Sequence, residues 1–333
     1  MKKKKIILIF VPILVVLLVV GILVGNFFKK ENNESNSSDN IIENANYSYH
    51  NVYLADKDEV LIPLSIKYES FDNVGQDLMY LVSLLKEDSK IANNQFNGVL
   101  PKDCSVKSID FNEGIVNVNF DDNFTKYEAN KELKILESLV WTLCDYDNVN
   151  GVTLSIDGNL IKNMPINKTP INGVLTKQLG INNFLLTSTI MGSGERVLSY
   201  YEKQIQDKFY YVPVTHYVKN TDDLSIYDLT INSLFKDPGI TSSLQICRIF
   251  KDTEMVSSSL LTDNVLYVSL TEDILFDETS VSLDVYNLLF EVTSLLEDVK
   301  DVSFLLELEE VMVNGKTSEE NQVSKIELNK FYI

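Results

Sequence analysis

The chain is poor in the residues that most often carry chemistry. Its 333 residues include three cysteines, two histidines and one tryptophan. Cys104, Cys144 and Cys247 have no metal-like spacing, and each falls in an apolar pattern, so they read as buried free thiols. A Cys104–Cys144 disulfide is the alternative. His50 and His216 stand apart from each other and from the cysteines, so a His-based metal site or a Ser-His-Asp triad would have to rest on His216 alone. Gly192-Ser193-Gly194 lacks the lysine and the strand–loop–helix setting of a phosphate loop. These absences lead us to expect no catalytic residues, no metal and no cofactor.

Basic residues are scarce as well. Lys and Arg number 29 against 48 Asp and Glu, for a net charge of −19. Lys2 to Lys5, Lys29 and Lys30 contribute +6 of that, leaving −25 on residues 31–333. A body this acidic is repelled by nucleic acid and by anionic headgroups. It reads as a solvated surface that could also complement a basic partner.

One stretch lacks charge altogether. After MKKKK, the 20 residues Ile6 to Gly25 hold no ionisable side chain. A helix of that length spans about 30 Å, the thickness of a bilayer's hydrocarbon core. Pro12 lies within it, which membrane helices tolerate. A cleaved signal peptide is the rival reading, but Leu23-Val24-Gly25 is a poor small-x-small site and no lipobox-like cysteine follows. The lysine bias places the N-terminus in the cytoplasm and the remainder outside, so the expected location is the cell membrane, crossed once. Residues 31–48, rich in Asn, Ser and Glu, read as a tether.

What the chain does have is a repeat. Displaced by 150 positions, Pro63 meets Pro213, Asp72 meets Asp222, and SLLKED (Ser83–Asp88) meets SLFKDP (Ser233–Pro238). Val116–Phe120 meets Leu266–Leu270, and Leu133, Leu136 and Val140 meet Leu283, Tyr286 and Phe290. A period this long means tandem globular domains rather than a solenoid. In the first copy a strand is expected over Val60–Tyr68, with an extra one near Tyr49–Leu54. A helix over Asp72–Glu87 should bury Val74, Leu78, Leu81, Val82 and Leu85, with Asp72 (and Asp222 in the second copy) capping its start. A hairpin follows, residues 104–111 and Ile115–Phe120 around Asn112-Glu113-Gly114. Then come a helix over Asn130–Cys144, burying Leu133, Leu136, Val140 and Leu143, and a closing strand Val152–Ile156. The expected fold class is α+β: two tandem β-α-β-β-α-β domains, each with two helices on one sheet, behind one N-terminal transmembrane helix. The organisation reads as a cytoplasmic N-terminus (1–5), a transmembrane anchor (6–28), a disordered tether (29–48), domain 1 (49–165), a linker (166–195) and domain 2 (196–333).

The stretches GVLPKDCSVKSIDFNEGIVNVNFDDNF and LVWTLCDYDNVNGVTLSIDG resemble the GerM domain family of spore-forming bacteria. The matching features are Pro63, Leu84–Leu85, Pro101, the Glu113–Gly114 turn, Thr142–Leu143 and Ile156–Gly158. The likeness covers roughly residues 50–160 and, more weakly, 205–316. The family's Gly-Pro helix end is Glu87-Asp88 in copy one and Asp237-Pro238 in copy two, and Lys251 stands opposite Pro101. The resemblance implies a ring-building-motif-like sandwich. It also implies a non-enzymatic part in the envelope complex between mother cell and forespore, with effects on sporulation and germination. Envelope proteins, basic or ring-forming, are the partners it suggests.

Paired carboxylates are the remaining chemical feature. Asp121-Asp122 and Glu272-Asp273 occupy equivalent places just past the two hairpins. They read as turn residues. Their catalytic alternative is glycan chemistry, which needs only two acids, and it accompanies the second functional reading, a peptidoglycan-binding or wall-remodelling protein. Trp141 faces Glu291 in the other copy, so it is no repeated sugar platform and is expected to pack in or beside the core.

Overall fold

The computed structural model describes residues 47–183, 194–238, 243–277, 279–306, 309–316 and 328–331. The apolar run Ile6–Gly25, the tether and Gly192-Ser193 lie outside them. No helix among the described residues is long and apolar enough to cross a membrane.

The first copy opens with an antiparallel hairpin, β1 (Tyr47–Ala55) and β2 (Leu61–Glu69). Asp56 closes its turn by accepting the Asp58 and Val60 amides at 2.9 and 3.0 Å. Helix α1 (Val74–Leu84) follows. Its cap is Asn73 rather than the expected Asp72: Asn73 has the extended backbone a cap requires, and its side chain accepts the Gln76 amide at 3.1 Å. Leu78, Leu81, Val82 and Leu85 are buried as their spacing predicts, whereas Val74, in the first turn, is exposed. β3 (Val106–Asn112) and β4 (Ile115–Phe120) turn at Glu113-Gly114, both with positive φ. This is the backbone of a tight two-residue hairpin loop, and Gly supplies it without strain. Helix α2 (Glu132–Leu143) then carries the chain to β5 (Gly151–Ile156), parallel to β4, and β6 (Asn159–Leu160) folds back on β5.

The second copy repeats the plan. A long hairpin, β7 (Glu195–Ile205) and β8 (Lys208–Val218), precedes helix α3 (Ile226–Ser233). Ser225, not Asp222, caps α3, accepting the Asp228 amide at 3.0 Å. The short strand β9 (Gln245–Ile246) pairs with β7, and β10 (Leu260–Thr262) pairs with β11 (Val265–Ser269). After β12 (Ser280–Val281), helix α4 (Leu283–Thr293) crosses to β13 (Asp301–Leu306), parallel to β11, and β14 (Glu309–Val313) returns antiparallel to it. Finally β15 (Lys330–Phe331) joins the first copy's β2 in parallel.

In one respect the architecture departs from two helices on one sheet. Each copy has two sheets, β1-β2-β15 and β3-β4-β5-β6 in the first, β8-β7-β9 and β10-β11-β13-β14-β12 in the second. The strand expected to open the main sheet belongs to a separate hairpin. In the first copy the cause is visible in α2, ten of whose twelve residues are buried. One side packs on β5, and the other meets β1. There the Ser138 hydroxyl donates to the Tyr53 carbonyl at 2.6 Å, and the Tyr53 amide donates to Thr142 Oγ1 at 3.1 Å. Helix side chains thus satisfy an edge that a further strand would otherwise have to pair. Leu133 and Leu283, expected in the core, are each 41% exposed at the first turns of α2 and α4. Leu136, Val140, Leu143 and Tyr286 are buried as expected, and Phe290 is partly so. All three cysteines are free thiols, with burial pushing Cys104 and Cys144 up to about 11.

Candidate functional site: the seam between the copies

The prolines that revealed the repeat mark the place where its two copies meet. β2 and β8 lie side by side without forming a ladder. Residues two apart on a strand turn their backbone groups to the same edge. On β2 those residues are Leu61, Pro63 and Ser65, and on β8 they are Tyr211, Pro213 and Thr215. Proline brings no N–H to that edge, so one donor fewer needs a partner.

Two asparagines span the gap. Asn182, fully buried, donates from Nδ2 to the carbonyls of Leu61 (2.8 Å) and Pro213 (2.9 Å) and accepts the Leu61 amide on Oδ1 at 2.9 Å. Asn329 donates from Nδ2 to the carbonyls of Tyr211 and Pro63, both at 2.8 Å, and accepts the Tyr211 amide at 2.8 Å. Adding 150 to Leu61 and Pro63 gives Tyr211 and Pro213. Exchanging the copies therefore turns one asparagine's set of partners into the other's. The backbone follows the same exchange: the Thr215 amide donates to the Ile181 carbonyl at 2.8 Å, and the Ser65 amide to the Leu328 carbonyl at 3.2 Å. Asn182 and Asn329 both have positive φ, 51° and 53°, a conformation asparagine tolerates better than most residues. The seam is a near-two-fold clasp in which each copy's trailing segment is laid against the other's hairpin.

The Ile181 segment is held from its other side by α2. Trp141, fully buried, donates from Nε1 to the Gly180 carbonyl at 2.9 Å, and its ring meets Tyr53 edge-on. Upstream, Leu175 exchanges both backbone hydrogen bonds with Val152. Glu132 gathers the amides of Ile166, Asn167 and Thr169 and the hydroxyls of Thr169 and Tyr127. Burial of Glu132 opposes ionisation, but these donors, the Thr169 hydroxyl foremost, hold its carboxyl below the usual range. Glu132→Gln removes the charge and one acceptor, and is expected to lower the unfolding free energy by about 1–3 kcal/mol, read from urea unfolding.

Other contacts cross the seam without obeying the exchange. Lys203 of β7, 3% exposed, lies against the Asp56 carboxylate and 2.8 Å from Asp58. Its hydrogen bond holds Asp58 below the ordinary carboxylate range. Its equivalent in copy one is Tyr53, an aromatic. Phe96 meets Tyr210 and Phe331 edge-on at 5.2 and 6.2 Å. Within the second copy, Tyr200 donates to Glu291 at 3.4 Å, and burial raises the phenols of both Tyr200 and the first copy's Tyr53.

The acids singled out from the sequence lie elsewhere. Asp121 accepts the Ser105 amide at 3.0 Å and the Asn123 side-chain amide at 2.9 Å, closing its own loop at the end of β4. Asp122 opens the single-turn helix Asp122–Thr125, and Glu272 and Asp273 sit in the equivalent turn Glu272–Ile274. Among the described residues, no three His, Cys, Asp or Glu side chains are grouped to hold a metal. His50 sits 3.8 Å from Asp145 and stacks on Tyr146. His216 is buried beside Tyr201, its Nε2 without a hydrogen-bond partner, and burial depresses its pKa from 6.5 to about 4. Between those two values the unfolded chain takes up the proton first, so stability is full above pH 6.5 and declines toward pH 4. His216→Gln is expected to flatten that part of a stability–pH curve measured by urea unfolding.

Asn182 and Asn329 were not singled out from the sequence. They are 147 residues apart, three short of the repeat offset, so the alignment that paired the prolines passed over them. The available signal was the pair of aligned prolines in strands, each in need of a partner that is not a strand.

Comparison with known proteins bears on both copies. A family model described as "Germane: Sporulation and spore germination" matches residues 51–162, the first copy. The chain is 30% identical over 278 residues to the "Spore germination protein GerM" of Bacillus subtilis (strain 168), covering 81% of this chain and 73% of that protein. The solved structure of the "Tandem GerMN domains of the sporulation protein GerM from Bacillus subtilis" superposes with a TM-score of 0.70 at 26% identity, covering 86% of this chain and 99% of that one. With sequence and tandem architecture shared over both copies, the chain belongs to the GerM family of sporulation and spore germination proteins and carries two tandem GerMN domains.

Proposed function

We propose that the protein is a membrane-anchored, extracytoplasmic component of a cell-envelope complex of sporulation or germination, and that it works by protein–protein contact. The observation that carries this reading is the reciprocal asparagine clasp, which makes one rigid body of two domains, 49–165 and 196–333. A component that holds two docking faces at a fixed separation needs such a joint and needs no catalytic group. The basic-then-apolar N-terminus supplies the anchor, with its lysines in the cytoplasm. The −25 charge on residues 31–333 suits basic or ring-forming envelope partners. The test is in-cell crosslinking of the full-length protein in its sporulating host, together with deletion of the gene. Recovery of an envelope protein and a sporulation or germination defect are expected. No envelope partner and no phenotype on deletion would sink the assembly role.

A further inference from the structure

Beside the clasp, the two copies line a cleft, open to solvent, of about 520 Å³. That is within the usual range for ligand sites, which favour domain boundaries. Both copies build it: the β1–β2 turn and the loop after α1 from the first, the β7–β8 turn and the approach to β9 from the second. Its walls carry five carboxamides, Asn94, Gln95, Gln204, Gln206 and Gln245.

Charge narrows the ligand. Among the described lining residues, Lys57 and Lys203 balance Asp56 and Asp58, so together they are neutral within a strongly acidic body. Lys203 is already spent on the two aspartates. Neither a cation nor an anion finds an uncompensated counter-charge here. A carboxamide, by contrast, both donates and accepts, as a hydroxyl does. Gln204 spends one donor on the Gln206 carbonyl (3.0 Å) and Gln245 one on Glu202 (3.4 Å). This orients the side chains and leaves a donor and an acceptor on each. Ile205 and Leu244 add apolar surface of the kind that covers the C–H face of a sugar ring.

The backbone argues against a peptide strand. Capture by strand addition needs an open edge. Here the β7 edge is taken by β9, and the end of β1 exchanges both hydrogen bonds with Asn97. The geometry points to a binding site for an uncharged, polyhydroxylated ligand, a saccharide of one or two rings.

Two probes test this with the purified full chain, by saturation-transfer NMR and titration: N,N′-diacetylchitobiose and maltose. Binding of at least one is expected, with both arms together separating an N-acetylated from a plain glycan. Gln204 and Gln245 are exposed, so Gln204→Ala with Gln245→Ala leaves the fold intact, as far-ultraviolet dichroism, which reports both copies, will check. Loss of two hydrogen bonds should weaken Kd about tenfold. Gln95→Ala, on the wall from the first copy, should weaken it about threefold. Failure of both sugars to bind, or affinity unchanged in both variants, overturns the assignment. Neither outcome touches the assembly role, which is read by crosslinking.

Discussion

Asn182→Ala combined with Asn329→Ala is expected to lower the unfolding free energy by about 4–8 kcal/mol and to replace one unfolding transition with two. Each asparagine serves three backbone groups at the seam: both groups of Leu61 and the Pro213 carbonyl, or both groups of Tyr211 and the Pro63 carbonyl. Alanine leaves all three without a partner, at about 1–3 kcal/mol for each group that water cannot reach. Partial wetting of the opened seam brings each single variant to about 2–4 kcal/mol. A domain's whole stability is only about 5–15 kcal/mol, so the double variant should uncouple the copies. Asn182→Asp should be no milder than alanine, because it sets a second acceptor against the two carbonyls that Nδ2 now serves. Urea unfolding followed by Trp141 fluorescence reports the first copy and by far-ultraviolet dichroism both. A double variant that loses less than about 1 kcal/mol and still unfolds in one step would show that the seam does not depend on the clasp.

Lys203→Met is the second large effect, at about 3–5 kcal/mol. Asp56 is 1% exposed, and the lysine is the cation that offsets its charge. Removing one partner of a buried pair leaves the other uncompensated, which costs more than the pair contributes. Adding Asp56→Asn should restore part of the loss, since the amide keeps an oxygen for the Asp58 and Val60 amides and carries no charge. The two variants also differ from the parent in acid. Asp58 is depressed below 3.8 through Lys203. Its contribution is therefore complete above that value and lost as pH falls through the lower folded one. That acid limb should be missing wherever Lys203 is missing. Equal stability of Lys203→Met and the parent at neutral pH would refute the argument.

Much of the fold could be read from residue patterns because its signals are local. Val116, Val118 and Phe120 alternate with asparagines, Glu113-Gly114 carries a turn that glycine makes cheap, and Leu78, Leu81, Val82 and Leu85 share one helix face. The misreadings came from contacts at a distance. Ser138 and Thr142 read as ordinary helix residues, yet they hydrogen-bond to β1 and so hold it apart from the main sheet of the first copy. Leu133 and Leu283 fit the apolar stripe but fall in first turns, where both are left exposed. Asp72 and Asn73 are both good caps, and only backbone geometry chooses between them. The clasp was hidden for a related reason: Asn182 and Asn329 bond to main-chain atoms, which carry no side-chain identity, in segments tens to hundreds of residues away.

The clasp also sets an order of events. Asn329 closes on Pro63 across 266 residues of sequence. At about 5–20 residues per second, a ribosome needs roughly 10–50 s to travel from one to the other. For that interval the Pro63–Ser65 stretch of the β2 edge still lacks the Asn329 and Leu328 groups that complete it, and an incomplete edge is open to pairing with a neighbouring nascent chain. Pro63 sits in the middle of that edge and withholds a donor from any such intruder. The residue that fits the finished seam is thus also the one that guards it while the seam is unfinished.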